Sequence, residues 1–206
     1  MKNLTRRLAL AMALAAPLAL GGCGINAIPS HKIDADKAWG EVQNQYQRRA
    51  DLIPNLVNTV KGYATQEKGV LIGVTEARAK ATQVQADSSI TTDPAKFRQF
   101  EQTQNQLGTA LSRLLVVQER YPELKSNENF LALQSQLEGT ENRIAIARRD
   151  YNDAVANYDK ALTLFPTNLW HSTLYSSYQP MQQFQATAAA QGAPTVNFDA
   201  SSAPAK

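Results

Sequence analysis

One column of large side chains repeats every seven residues between about residue 126 and residue 165, and this repeat restricts the fold more than any other feature. The members of the column are Phe130, Leu137, Ile144, Tyr151, Tyr158 and Phe165. A second, mostly small column lies three residues further on and consists of Leu133, Thr140, Ala147, Ala154 and Ala161. Large residues beside small ones at this spacing are typical of helices that pack closely. At 1.5 Å per residue, such a helix would be about 60 Å long, which indicates an elongated bundle.

Two more segments have helical composition. In the segment 93–119, Asp93 is a predicted N-cap and Pro94 the first helical residue. The short turn after Tyr121-Pro122 predicts that this helix pairs antiparallel with the long helix. Because no convincing strand occurs between residues 34 and 166, the sequence predicts an all-α fold, an elongated antiparallel bundle of three to four long helices.

A further helical segment, 36–84, contains a proline. Pro54 either kinks one continuous helix or lies in the first turn of a new helix capped by Asp51. Glycines weaken the following turns, so a break is predicted near Gln66.

The amino end has the three parts of an export signal. A basic start is followed by the apolar run Leu8–Leu20 and then by Leu20-Gly21-Gly22-Cys23, which resembles the lipobox of bacterial lipoproteins. This resemblance implies cleavage before Cys23 and a diacylglycerol on its thiol. The alternative is a retained membrane anchor, although the run has only thirteen residues and a spanning helix needs about twenty.

These features divide the chain into four predicted regions. Residues 1–22 are predicted as a signal peptide, 23–34 as a lipidated tether in which Pro29 disfavours helix, and 35–169 as the bundle. Residues 170–206, rich in Gln, Ala, Ser and Pro, are predicted to be mostly disordered. Val196–Phe198 is a small apolar exception that could dock as a short strand.

Charge and residue types exclude several functions. Three of the 21 basic residues precede Cys23 and none of the 18 acidic residues does, so 21 − 3 = 18 basic side chains balance 18 acidic ones. We therefore expect no nucleic-acid binding, which relies on a net basic surface. Neither His31 nor His171 has a second histidine or a cysteine nearby, and no glycine-rich phosphate loop occurs. We expect no metal, no cofactor and no catalytic residues.

Two long motifs are more specific than helical composition. The first is 48–57 with its continuation 60–64, and the second is 121–130 with its continuation 140–152, followed by Phe165-Pro166-Thr167-Asn168. Together they resemble the LemA family over about residues 36–169. The resemblance implies an extracytoplasmic helical bundle tied to the membrane by its amino terminus, without enzymatic activity and with a largely undefined role. A plain transmembrane helix is commoner in that family than a lipobox, and the Gln/Ala-rich tail also departs from its pattern.

The motif residues divide into a predicted core and a predicted surface. The predicted core residues are Leu52, Leu56, Val60, Phe130, Ile144 and Tyr151. The polar residues are typical of solvated faces with weak ion pairs, or alternatively form a surface for docking a partner around the kink. The candidate docking residues are Arg48, Arg49, Asp51, Pro54, Asn55, Arg148, Arg149, Asp150 and Asn152.

We therefore expect a non-catalytic, membrane-anchored helical scaffold or adaptor of the bacterial cell envelope, facing the periplasm or the exterior. Its expected partners are the membrane, through lipidated Cys23, and an envelope protein. Gly24 after the lipidated cysteine favours the outer membrane in a cell with two membranes. One alternative is a cell-wall hydrolase, which needs a carboxylate pair or a Ser-Lys dyad in a cleft. Another is a structural protein that self-associates through its long helices.

Overall fold

The computed structural model describes residues 24–85 and 89–185, and every regular element within them is helical. The elements are α1 Ala27–Tyr63, α2 Lys68–Gln85, α3 Pro94–Val116, a 3-10 turn Val117–Arg120, α4 Pro122–Lys125, α5 Glu128–Thr163 and α6 Asn168–Thr173. Four of these helices are long, which confirms the predicted all-α bundle. Asp93 caps α3 as predicted, because its carboxylate accepts from the amides of Ala95 at 2.8 Å and Lys96 at 3.2 Å.

The two longest helices, α1 and α5, form the most extensive pair of the bundle. They run antiparallel: the side-chain amide of Asn127, the N-cap of α5, donates to the Tyr63 hydroxyl at the end of α1. Further along, the rings of Trp39 and Tyr151 lie 5.2 Å apart. With 37 residues, α1 is about 55 Å long. Helices α2 and α3 form the next most extensive pair. The prediction that α3 pairs chiefly with α5 is therefore wrong. Helix α5 pairs with α1 instead, because these two helices have matching lengths and apolar stripes.

Helix α1 continues through Pro54 without a break, so the interpretation of Pro54 as the start of a new helix is wrong. Proline has no N–H, and the carbonyl of Ala50, four residues earlier, therefore loses its helical donor. The Arg78 side chain of α2 supplies a replacement, since its Nε donates to the Ala50 oxygen at 2.7 Å. The break predicted near Gln66 is confirmed, because α1 ends at Tyr63 and α2 begins at Lys68.

The core is divided into two apolar halves along the bundle. One half lies around the first part of α1 and the last part of α5, and it includes Trp39, Tyr46, Phe100, Tyr151 and Tyr158. The other half includes Leu56, Val60, Leu107, Leu114 and Phe130. Between them lie the buried polar side chains of Arg49, Gln104 and Thr140. The predicted core residues are buried except Leu52, which is half-buried, because its neighbour Ile53 takes the core position.

The predicted tether is wrong as a description of residues 27–34, because these residues form the beginning of α1. Pro29 does not prevent this. The first four N–H groups of a helix have no partner within it, so a proline in the first turn removes no hydrogen bond. Ile28 and Ala35 are completely buried and hold this end of α1 against the bundle.

The predicted disorder of residues 170–206 is wrong for residues 170–185. Helix α6 ends at Thr173, and the following residues extend along the bundle with Met181 and Phe184 buried. Composition alone suggested too little apolar surface, but the docked segment buries both of these side chains. Residues 186–206, with the Val196–Phe198 prediction, and residues 1–23, with Cys23, lie outside the described residues.

Candidate interaction surfaces and the docked strap

Arg49 joins three helices in the polar layer of the core. Its Nη1 donates to Glu141 of α5 at 3.0 Å, and its Nη2 donates to the backbone oxygen of Gln104 of α3 at 3.3 Å and to the Gln104 side-chain oxygen. The guanidinium also lies 5.0 Å from the ring centre of Tyr46. With only 4% of its surface exposed, Arg49 stabilises the fold, and its assignment to a docking surface is wrong.

The other candidate residues of α1 lie on its exposed surface. Arg48, Asp51 and Asn55 are spaced three and four residues apart, which places them on one face of the helix. Asp51 accepts a hydrogen bond from Gln47 at 2.7 Å, and Pro54 beside it is also exposed. We call Arg48, Asp51, Pro54 and Asn55 the α1 surface.

Arg149 and Asp150 of α5 are exposed as well and form an ion pair at 3.3 Å. Because Tyr151 packs on Trp39, these two residues lie level with residue 40 of α1. Residue 48 is eight residues further along α1, or about 12 Å. The structure therefore does not gather the predicted docking residues into one site.

Arg148 and Asn152 have a different role, because they hold the segment 175–185, which we call the strap and which begins with a turn at residues 176–177 before it runs along the bundle. The Asn152 side chain pairs with the backbone of Phe184 in both directions: its Nδ2 donates to the Phe184 oxygen at 2.8 Å, and its Oδ1 accepts from the Phe184 amide at 2.9 Å. The Arg148 guanidinium lies 4.3 Å above the Phe184 ring and pairs with Glu101 at 3.6 Å.

Further bonds run along the strap. The hydroxyls of Tyr158 and Tyr151 donate to the backbone oxygens of Gln179 at 2.9 Å and Gln182 at 2.8 Å. The backbone amide of Gln182 donates to the backbone oxygen of Thr91 at 2.7 Å. Residues of α5 and of the turn before α3 thus bind the strap backbone much as a peptide groove binds an extended ligand.

The Phe184 ring anchors the strap within the first half of the core. Its centre lies 5.0 Å from that of Phe97, 5.7 Å from that of Tyr151 and 6.1 Å from that of Trp39. Aromatic rings at these separations attract one another beyond the effect of buried area. The strap is therefore part of the core.

Burial shifts the ionisation of the groups that hold the strap. It raises the pKa of Tyr158 to about 12 and raises that of Tyr151 further, so both hydroxyls remain donors at neutral pH. Burial also raises the pKa of Asp159, against the opposing effect of the Met181 amide that donates to it at 3.4 Å. The pKa of Glu101 is raised for the same reason, and nearby Arg148 counteracts the shift.

Residues 24–85 and 89–185 contain neither a cluster suited to a metal ion nor a helix suited to span a bilayer. No group of three or more His, Cys, Asp and Glu side chains in this part is arranged to hold a metal ion. None of its helices combines the length and the apolar character that crossing a bilayer requires. The Nε2 atom of His171, in α6, lies 3.0 Å from the backbone oxygen of Tyr178.

The strap and the polar layer were missed from sequence. Asn152 and Arg148 belong to the motifs, but their partner Phe184 lies 32 residues after Asn152, in an uncharged segment of unremarkable composition. Gln104 lies among many glutamines, and nothing in its sequence context distinguishes it. One usable signal was the spacing of Met181 and Phe184, the only large aliphatic or aromatic residues between 179 and 185.

Comparison with known proteins places the chain in a family. The family model described as LemA family matches residues 38–198, which is more than half of the chain. Magnetosome protein MamQ 2 of Paramagnetospirillum magneticum is 39% identical over 61 residues, covering 30% of this chain and 22% of that protein. Magnetosome protein MamQ of Magnetospirillum gryphiswaldense is 24% identical over 157 residues, covering 68% and 58%. Protein LemA of Metamycoplasma hominis is 23% identical over 127 residues, covering 62% and 54%.

These matches cover between 22% and 58% of the length of the three relatives, and none of the relatives' names denotes an enzyme. The family match continues to residue 198, past the limit near residue 169 predicted from the motifs. The strap, and part of the tail that was predicted to depart from the family pattern, therefore fall within the family match. On the extent of this match, the chain belongs to the LemA family.

Proposed function

We propose that this protein is a non-catalytic, membrane-anchored helical scaffold or adaptor of the bacterial cell envelope. The residues up to Cys23 attach it to the membrane, by a lipid on Cys23 or by a retained anchor. The bundle binds an envelope protein on the periplasmic or exterior side, with the outer membrane as the expected site in a cell with two membranes.

The observation that carries this proposal is the position of α1. The helix begins four residues after Cys23 and continues for 37 residues along the bundle. A helix packed along its length against α5 is stiff, so a body of about 55 Å is coupled to the membrane attachment with little intervening chain. Such coupling holds exposed side chains at a defined distance from the membrane and raises their effective concentration for membrane neighbours.

The α1 surface supports the adaptor role, because Arg48, Asp51 and Asn55 are exposed at mid-length of α1. Their residue types offer charge and amide groups to a partner without needing a deep cleft. The pair Arg149 and Asp150 is a second such surface nearer the membrane attachment.

Photocrosslinking in intact cells tests the proposal. A photoreactive residue replaces Asn55 in one variant and Arg149 in another, and exposed Lys80 of α2 is the matched control position. We expect one or two envelope proteins to be captured from Asn55 or Arg149 and not from Lys80. If the lipid on Cys23 is the attachment, capture that depends on anchoring should be lost when Cys23→Ala is introduced into the same variants.

Two results would contradict the proposal. Capture of only a second copy of this chain would favour the self-associating structural protein. Absence of any specific product from both positions would refute the adaptor role on these surfaces. Attachment has its own test, since Cys23→Ala abolishes labelling by a radioactive fatty acid if the lipid is on that thiol. A variant that still becomes labelled would exclude Cys23 as the lipid site.

A further inference from the structure

An apolar tip lies at one end of the bundle, formed by residues 164–174 after the end of α5. Leu164, Phe165, Leu169 and Leu174 are each more than half exposed, and Phe165 is 79% exposed. They are four of the ten exposed large hydrophobic side chains of the described residues, and the other six are scattered along the molecule. Phe165 was predicted to continue the core column. Helix α5 ends at Thr163, however, and the Phe165 side chain is exposed instead of buried in the core. Clustered exposed apolar side chains of this size indicate an interaction surface.

The tip lies in an uncharged part of the sequence. Residues 161–185 contain no Asp, Glu, Lys or Arg, whereas 19% of the whole chain is charged, so about five such residues would be expected among these 25. Trp170, which is half-buried, lies among the exposed leucines. Tyrosines 175 and 178 follow, with their rings 5.5 Å apart. Uncharged surfaces rich in Leu, Phe, Trp and Tyr are typical of protein parts that lie in the interfacial region of a bilayer.

The tip is next to the place where the chain comes from the membrane. A methyl group added at Gly24 would lie 3.3 Å from Cγ2 of Thr167, in the middle of the tip. Gly24 directly follows Cys23 and the apolar run Leu8–Leu20. With either form of attachment, only a few residues of chain therefore separate the bilayer surface from Gly24 and the adjacent Thr167.

The opposite end of the bundle has the opposite character. Five of the ten residues from 119 to 128 are charged: Glu119, Arg120, Glu123, Lys125 and Glu128. Arg120 pairs there with Glu67 at 3.0 Å, in the connection between α1 and α2. Of the two ends of the bundle, as residues 24–85 and 89–185 form them, only the tip is therefore suited to contact with a bilayer.

From these observations we propose that the apolar tip inserts its exposed side chains into the lipid interface beside the attachment point, so that the bundle stands on the membrane. The occupant of this surface is a phospholipid bilayer. This proposal rests on the membrane attachment in the proposed function and adds a second, noncovalent contact that fixes the orientation of the bundle.

Fluorescence quenching in vesicles tests the contact with the full-length chain. The protein is reconstituted into vesicles of phosphatidylcholine and phosphatidylglycerol, in which the phosphatidylcholine is brominated near the headgroup end of its acyl chains. The chain has two tryptophans: Trp39, buried in the core, and Trp170 in the tip. If Trp170 lies in the interface, brominated lipid should lower its emission roughly twofold. Trp170→Phe should remove the quenched component and leave the emission of Trp39.

A double variant separates insertion from mere proximity. Phe165→Ser with Leu169→Ser changes two exposed side chains, so the fold is expected to remain intact, and quenching of Trp170 should be lost. Val116→Ser is the matched control, because Val116 is 66% exposed on α3, away from the tip, and its replacement should leave the quenching unchanged.

The outcomes distinguish the two proposals. Protein that floats with the vesicles but is not quenched, or is quenched equally in the double variant, overturns insertion of the tip and leaves the attachment intact. Protein that does not float refutes the attachment, and the tip proposal fails with it. A dimer that the double variant dissociates, with no quenching, would assign the tip to a second copy of this chain instead.

Discussion

Arg48 and Arg49 are neighbours in the sequence and have opposite environments. The first is exposed on the α1 surface, and the second is buried among Tyr46, Gln104 and Glu141. Glu141 is partly exposed and can be solvated if its partner is removed, whereas buried Gln104 cannot. The hydrogen bonds of Arg49 therefore stabilise chiefly the contact between α1 and α3.

Replacing Arg49 should destabilise the fold while replacing Arg48 should not. We expect Arg49→Met to lower the free energy of unfolding by about 2–3 kcal/mol, because the Gln104 side chain is left buried without a partner. Arg48→Met should change it by less than about 0.5 kcal/mol, as for most surface positions. Urea unfolding of both variants measures the difference. Equal effects would mean that Arg49 contributes no more than a surface arginine.

Asp159 should favour the folded chain more at acidic pH than at neutral pH, which is the opposite of the usual effect of an aspartate. Burial raises its pKa in the folded chain above the usual value of 3.8, so the folded state binds more protons than the unfolded state. The contribution of Asp159 to stability therefore rises as pH falls through the raised pKa and is complete below about 3.8. Asp159→Asn, whose amide oxygen can still accept from Met181, should be more stable than the parent chain at pH 7.

This advantage should shrink steadily as the pH is lowered towards 4, and urea midpoints across that range measure it. The exposed Asp153→Asn variant of the same helix is the control. A constant advantage of Asp159→Asn at all pH values would show that ionisation of Asp159 does not account for it.

At the scale of the elements, α1 and α2 are joined where Pro54 interrupts the hydrogen bonds of α1. The Ala50 oxygen accepts from Arg78 in place of the missing amide at position 54. A motif residue that was predicted to shape a docking surface thus affects the contact between α1 and α2.

A double-mutant cycle tests this substitution of one donor for another. Arg78→Met should cost about 1 kcal/mol of unfolding free energy in the parent chain, the usual contribution of one hydrogen bond. In a Pro54→Ala background, the restored amide satisfies Ala50 and the same change should cost clearly less. Urea unfolding of the four chains gives the coupling, and strictly additive effects would exclude this role for Arg78.

The strap is an element without regular secondary structure that nevertheless belongs to the core. Phe184→Ala should release it from α5, because the ring supplies its aromatic contacts. The resulting loss of unfolding free energy is limited, because the strap can detach while the rest of the bundle keeps its own packing. Hydrogen exchange is therefore the more sensitive measurement.

We expect the amides of Gln182 and Phe184, which donate to Thr91 and Asn152, to exchange at least about tenfold faster in Phe184→Ala. Leu174→Ala, at a position that is 59% exposed, should leave these amides protected. Unchanged protection in Phe184→Ala would mean that the backbone bonds alone hold the strap.

At the scale of the whole molecule, two apolar halves share two continuous helices. The polar layer at Arg49 separates the halves, but α1 and α5 each pass through both. Unfolding one half would break the long helices in their middle, which removes packing from the other half as well. We therefore expect the bundle to unfold as one unit.

Coincidence of two probes tests this expectation. Both tryptophans lie in or against the first half, so fluorescence reports that half, whereas far-ultraviolet circular dichroism reports helix throughout the chain. The two urea midpoints should agree within error for a two-state transition. A fluorescence midpoint that is clearly separate would indicate two independently unfolding halves.

The sequence by itself determined the helices and their approximate limits. The seven-residue column in α5, the Asp93 cap and Gly62 in the last turn of α1 act through local geometry, which depends on residues close together in the chain. For the same reason the motifs of the LemA family were recognisable without a structure.

Only the tertiary structure decided which motif residues are buried and what they contact. Arg49 and Arg48 are both arginines in one helix, and their difference arises from α3 and α5, which are distant in sequence. The strap docks because α5 presents Tyr151, Asn152 and Tyr158 to it, and the apolar tip lies beside Gly24 because α1 and α5 run antiparallel. These contacts depend on how the helices pack together, and no local pattern of residues encodes that packing.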